Sequence, residues 1–297
     1  MDRKDNIDAF GAVVLVAFSA LLGLNQVLVK LVSVGMAPAF QSGLRSACAF
    51  FPVLIFALIM RRKLTVSDGS LIPGLITGVF FAAEFLLLFQ ALEYTSVGHA
   101  SIMFYTMPFW VALGAHFLIP GERLTLIRVI GLALSVAGVS IALIKSGGSG
   151  GSDPLLGDIM CLVAAMGWAA IALIARTTSF SKSAPEMQLL YQLAVSAPIL
   201  LGFAFLSGET FRELTNTHLW IFAFQVFGVV SVGFLTWFWI LSIYPASDMA
   251  SFGFLAPVFG VIFGWLVFDE ALTVEVIGSL ALVGIGIVLV NQKRKAR

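Results

Sequence analysis

Charge is in short supply. Asp, Glu, Lys and Arg make up 11% of the 297 residues, where a soluble domain carries about 25%. With a mean hydropathy of +1.02, the chain cannot cover a water-facing surface, which excludes a soluble globular domain. The net charge of +1 supplies none of the basic field that nucleic acid requires. The three histidines are unclustered and there is no His-Glu-x-x-His pattern, so no metal site is expected. Without paired carboxylates inside the apolar runs, an integral membrane enzyme lacks its chemistry. No polar ring recurs across the runs to line a channel. Cys48 and Cys161 both fall in apolar stretches and read as buried thiols, not as a disulfide framework. The Gly/Ser stretch 146–152 lacks the Gly-Lys-Ser/Thr ending of a phosphate loop and reads as a flexible linker, so no cofactor is expected.

What is abundant is apolar sequence in runs of bilayer length. They cover about 10–32, 38–60, 71–93, 99–119, 125–145, 155–177, 187–207, 219–243, 249–268 and 273–291. The first is longer than the 7–15-residue core of a secretory signal and reads as a span. None alternates polarity as a barrel strand does. The expected fold is an all-α integral membrane protein of ten transmembrane helices. Thirteen Lys and Arg fall in the N-terminus, in loops on its side and at the C-terminus: Arg3, Lys4, Arg61, Arg62, Lys63, Arg123, Arg128, Arg176, Lys182, Lys293, Arg294, Lys295 and Arg297. Only Lys30, Lys145 and Arg212 fall on the other side, and Arg45 lies within a run. This bias places both termini in the cytoplasm and demands an even number of spans. The expected location is the cell inner (plasma) membrane, with the lipid bilayer as a partner.

The two halves of the chain repeat one another. Gly11, Gly23 and Lys30 stand 146 residues before Gly157, Ala169 and Arg176; Pro38 and Gln41 stand 147 before Pro185 and Gln188. Tyr94 and Ala100-Ser101 stand 150 before Tyr244 and Ala250-Ser251. Pro108, Gly121-Glu122-Arg-Leu-Thr125 and Gly131 parallel Pro257, Asp269-Glu270-Ala-Leu-Thr273 and Gly278. Five spans per half turn the second half upside down, an inverted repeat of the kind built into secondary transporters. The expected organisation is an N-terminus at 1–9, a first repeat at 10–145, the linker at 146–154, a second repeat at 155–291 and a basic C-terminus at 292–297.

The ordered set Gly23, Lys30, Leu44-Arg45, Ala91-Leu92-Glu93-Tyr94, Ala100-Ser101, Pro108, Glu122-Arg-Leu-Thr125 and Gly131, with Pro257, Glu270 and Gly278 in the second half, resembles the EamA-type repeat of the drug/metabolite transporter superfamily. The abundance of Phe, Trp and Tyr in the spans is similar to that of aromatic amino-acid exporters of the YddG type. The resemblance implies export of amino acids or other small metabolites by alternating access, with drugs or other metabolites of the same family as the alternative cargo. The second half departs from the pattern, with Gln192 at the place of Arg45.

Charge inside a span costs roughly 2.5–3.5 kcal/mol on insertion scales, so the few charged residues there are the first candidates. Glu84, at the middle of span three, is placed to bind a substrate ammonium or a coupled proton; its second-half counterpart lies near Phe234. Arg45 suits a substrate carboxylate, whereas Lys30, near a helix end, is accounted for by snorkelling. Pro108 and Pro257, midway along spans four and nine, are expected to kink them, with Ser101, Tyr105, Trp110, Ser251 and Phe252 nearby. Asn25, Gln26 and Gln90 offer amides, and Trp168 and Trp237 offer rings for an aromatic or cationic substrate. Trp239, about 200° from Trp237 on a helix, is not expected to share its face. His99 and His116 read as surface or packing groups. Gly74-xxx-Gly78 and Gly260-xxx-Gly264 suit close helix contacts, and the chain is expected as a monomer or homodimer.

Overall fold

A computed structural model describes residues 7–120, 124–144, 151–244, 252, 253 and 255–290. Ser251, the linker residues 146–150 and the charged ends 1–6 and 291–297 lie outside the described residues. The described chain is helical, with no strand and one isolated bridge between Met36 and Phe211.

The helices are α1 (Ala9–Ser33), α2 (Pro38–Ile59), α3 (Leu71–Tyr94), α4 (Val97–Phe104), α5 (Met107–Leu118), α6 (Leu126–Ile144), α7 (Pro154–Thr177), α8 (Pro185–Ser207) and α9 (Asn216–Phe224). A π-helical stretch, Gln225–Gly233, joins α9 to α10 (Phe234–Ile243) and is followed by α11 (Leu255–Phe268) and α12 (Val274–Val290). Counting Val97–Leu118 and Asn216–Trp237 as one span each, eight helices among the described residues are long and apolar enough to cross a membrane; α11 and α12 are shorter apolar helices. Large apolar side chains such as Ile72, Phe117 and Leu126 lie exposed on their outer faces, as suits a hydrocarbon solvent in which the backbone satisfies itself by helical bonding.

Sequence explains where the helices begin. Asp8 caps α1 by accepting the Gly11 N–H at 2.9 Å, and Asp153 caps α7 by accepting that of Leu156 at 3.3 Å. Pro38, Pro154 and Pro185 sit in first turns, where the missing N–H costs nothing. Pro108 sits in the first turn of α5, and the expected kink falls just before it, at the two turn residues Tyr105–Thr106 inside the span Val97–Leu118. The Thr106 hydroxyl donates to the Met103 carbonyl at 2.6 Å there. Pro257 is the third residue of α11 as it is described from Leu255. The prolines inside helices are Pro52 in α2 and Pro198 in α8, 146 residues apart, which the reading by motif passed over.

Packing couples the halves. α6 lies on α12, α3 on α7 and α8, α2 on α8, and α11 between α1 and α4. The Gly74/Gly78 face meets Tyr191 and Val195 of α8, and Gly260 meets Ser101, so both glycine pairs are used inside the chain. At Gly23 the backbones of α1 and α11 touch: a Cβ there would sit 2.7 Å from the Gly260 nitrogen. Gly23→Ala is therefore expected to destabilise the fold by about 1–3 kcal/mol through overpacking. The check is thermal unfolding of the purified variant in detergent; an unchanged midpoint would contradict this contact.

Candidate functional site

A cavity of about 550 Å³ runs between α1, α2, α3, the α4–α5 turn, α7, α8 and α10. Its walls include Phe18, Phe81, Phe85, Tyr105, Trp168 and Trp237. Trp168 stacks on Phe104 and Trp237 on Phe18, each with ring centres 5.1 Å apart. The cavity reaches the surface at Arg176, an exposed residue at the end of α7.

The polar residues of this largely apolar lining include Asn25, Gln26, Arg45 and Glu84. Glu84 is buried at 3% exposure, and its Oε2 has no hydrogen-bond partner; neither do Asn25 Oδ1 and Gln26 Nε2. Gln26 Oε1 accepts from the Ser101 hydroxyl at 3.2 Å. The Arg45 guanidinium lies against two rings of α3, 4.4 Å from the centre of Phe85 and 4.6 Å from that of Phe89. No acceptor among the described residues takes its N–H groups. Arg45 and Glu84 act on each other electrostatically without a direct hydrogen bond. Buried polar atoms without partners are rare and costly, and here several converge on one hollow. Such a place suits a small molecule carrying both donors and acceptors.

The structure brings together Glu84, Arg45, Asn25, Gln26, Tyr105, Trp168, Trp237, Phe252 and Pro108 on this wall. It places Ser101 behind Gln26 and leaves Gln90, Trp110 and Pro257 off the lining. Trp110 faces the core beside Phe109, its Nε1 buried without a partner. Trp239 points outward against Phe10. Phe85 and Phe89, which hold Arg45, were missed; two aromatics at the first and fifth positions after an intramembrane acid were the available signal.

The opposite end of the bundle is tied by polar contacts. Asp158 and Arg176 mark the two ends of α7, about 27 Å apart along its axis. Buried Asp158 accepts from the Thr95 hydroxyl at 2.7 Å and lies 2.9 Å from His99 Nδ1. The Lys30 ammonium donates to the Thr95 carbonyl at 2.8 Å and sits 3.8 Å from Glu270. Glu270, from the turn after α11, accepts the N–H groups of Val97 at 2.6 Å and Gly98 at 2.8 Å, capping α4. Arg212 pairs with Glu93 nearby. Lys30 thus bridges elements instead of snorkelling, and His99, buried and paired with Asp158, takes the packing role of the two expected for it. Asp158, an acid one turn into an apolar run, was overlooked.

The profile described as the EamA-like transporter family matches the chain over residues 9–144 and again over 155–292. The chain belongs to that family. EamA-like relatives include the Bacillus subtilis protein named "Uncharacterized transporter YoaV", 26% identical over 277 residues, covering 92% of this chain and 94% of its own. Another is the Escherichia coli "Probable amino-acid metabolite efflux pump", 28% identical over 283 residues, covering 92% of this chain and 90% of its own. A solved crystal structure superposes with a TM-score of 0.66 at 18% identity, covering 93% of this chain and 94% of that one; it speaks for the fold alone. Membership of the EamA-like family makes the chain a multi-pass membrane transporter.

Proposed function

We propose that this chain is a secondary transporter that exports small amphipathic metabolites, amino acids with aromatic or neutral side chains foremost, across the cell inner membrane. Ten spans form two inverted five-helix repeats, 10–145 and 155–291, with both termini cytoplasmic. The bias of Lys and Arg supports that orientation, and the two profile matches support the repeats. With this orientation the mouth at Arg176 faces the cytoplasm and the Lys30–Thr95–Glu270 end faces outward. The cycle exchanges this arrangement for its mirror, as inverted repeats permit.

The observation that carries the reading is an opposite-charge pair, Arg45 and Glu84, set without a direct bond in an aromatic cavity. Such a cavity fits a zwitterion with an apolar side chain. The name of the Escherichia coli relative supports amino acids as the cargo. No cofactor or metal enters the scheme, and a proton on Glu84 is the proposed coupling ion.

The test is counterflow in proteoliposomes made with the purified protein, loaded in turn with Phe, Trp, Tyr, Thr and Met. Saturable uptake of label, driven by unlabelled amino acid inside and competed from outside, is expected. Absence of counterflow for every amino acid and related amine would sink this reading.

A further inference from the structure

The repeat offsets pair the cavity-lining positions of one half with those of the other, and the partners are chemically unlike. Asn25 and Gln26 correspond, 146 residues on, to Ile171 and Ala172. Arg45 corresponds at 147 to Gln192, and Glu84 at 150 to Phe234. All eight line the same cavity. Each half thus delivers side chains to equivalent places, and of these eight the two ionic ones, Arg45 and Glu84, come from the first half; Arg128 and Arg176 also line the cavity, Arg176 at its mouth.

We infer that the duplicated cavity has divided its labour. The first half takes the charged head group of an α-amino acid, its carboxylate on Arg45 and its ammonium on Glu84. The second half takes the apolar side chain against Ile171, Ala172 and Phe234. This rests on the amino-acid reading above and adds a selection rule: the carboxylate is obligatory.

The rule follows from how Arg45 is held. Phe85 and the fully buried Phe89 crowd the guanidinium from the α3 side, and its N–H groups, which no acceptor among the described residues takes, are left for a ligand. Those N–H groups form the planar fork that matches a carboxylate with two parallel bonds. Phe89 is a positioning residue: its ring packs against the guanidinium and restrains it, so less freedom is lost when the carboxylate arrives. A ligand without a carboxylate leaves that buried cation unpaired, and sites built to bond a polar group reject analogues that lack it. The neutral Gln192 at the equivalent place of the second half offers no second ionic fork, so head and tail cannot exchange ends.

Four compounds separate the contributions: phenylalanine, 2-phenylethylamine, 3-phenylpropionate and alanine, each competing against labelled phenylalanine counterflow. Both analogues are expected to compete at least about ten-fold more weakly than phenylalanine. Arg45→Lys keeps the charge and loses the fork. It should raise KM for phenylalanine and alanine alike by about ten-fold or more and leave the amine unaffected. Phe89→Leu should follow it more mildly in KM with kcat preserved. Phe234→Ala should weaken phenylalanine by about ten-fold and alanine by less than about three-fold; Phe234→Leu serves in its place if the alanine variant does not fold. The inference is overturned if the amine competes as well as phenylalanine. It is overturned equally if the Phe234 variants weaken phenylalanine and alanine alike, or if Arg45→Lys leaves both unchanged. Thermal shift of the purified protein with the same compounds tests binding apart from transport. Stabilisation by phenylalanine and not by the amine sustains the head-group assignment even where counterflow fails and the transport reading falls; stabilisation by none overturns both.

Discussion

Glu84→Gln is expected to slow counterflow by about ten- to a hundred-fold, the worth of a hydrogen bond to a charged group, and to flatten its dependence on pH. The substitution keeps shape and volume, so the packing of α3 on α7, where Gly167 faces Glu84, stays intact. What changes is charge: the amide cannot attract an ammonium or carry a proton. A merely structural role predicts a different pattern. Removing one member of a buried charge pair leaves the other uncompensated, at about 3–5 kcal/mol. Unfolding temperature would then fall, and Arg45→Gln combined with Glu84→Gln would restore it. The two accounts are separated by measuring counterflow at several pH values beside thermal unfolding for both single variants and the double variant. Wild-type rates and wild-type pH dependence in Glu84→Gln would remove this residue from the transport scheme.

The second large effect is expected at Glu270. One carboxylate there holds two N–H groups at the start of α4 and faces Lys30, so it fastens the turn after α11 to both α4 and α1. Glu270→Gln retains one acceptor oxygen, and it forfeits the attraction to the positive helix end and to Lys30. A loss of about 1–3 kcal/mol for the tied state follows. If that end must part for the cavity to open outward, the population should move by ten-fold or so, since about 1.4 kcal/mol is a factor of ten. Leu22→Cys, on the cavity wall, reports this in a background with Cys48 and Cys161 replaced. A membrane-impermeant maleimide applied from outside should label it about ten-fold faster when Glu270→Gln is added. Equal labelling rates with and without that change would show that the contact is no part of the closure.

How much of this was legible beforehand depends on what a linear pattern can carry. Helices of bilayer length announce themselves by composition, so the apolar runs and the helices agree to within a few residues over α1, α2 and α3. The kink expected at Pro108 falls at Tyr105 and Thr106, inside an unbroken apolar run, because proline acts on the residues that precede it. Helix rotation was hidden. A span that is apolar all round gives no face to read, so Gln90 and Trp110 looked as suitable as Asn25 and Glu84. Intramembrane charge was the better guide, since its cost forces a polar surrounding: Glu84 and Arg45 do meet in one cavity. The network of Lys30, Thr95, His99, Asp158 and Glu270 joins residues up to 240 positions apart, and only tertiary packing could reveal it.

The span that presents Phe234 and Trp237 to the cavity contains the π-wound stretch Gln225–Gly233, in which Ser231 bonds back to the Val226 carbonyl at 2.8 Å. Winding of this kind stores a residue beyond what an α-helix of the same height holds. Surrendering that residue would advance the rest of the helix by one position, a turn of about 100°. Both aromatic rings would swing off the cavity together, like a key turned in its lock, without breaking the helix that carries them.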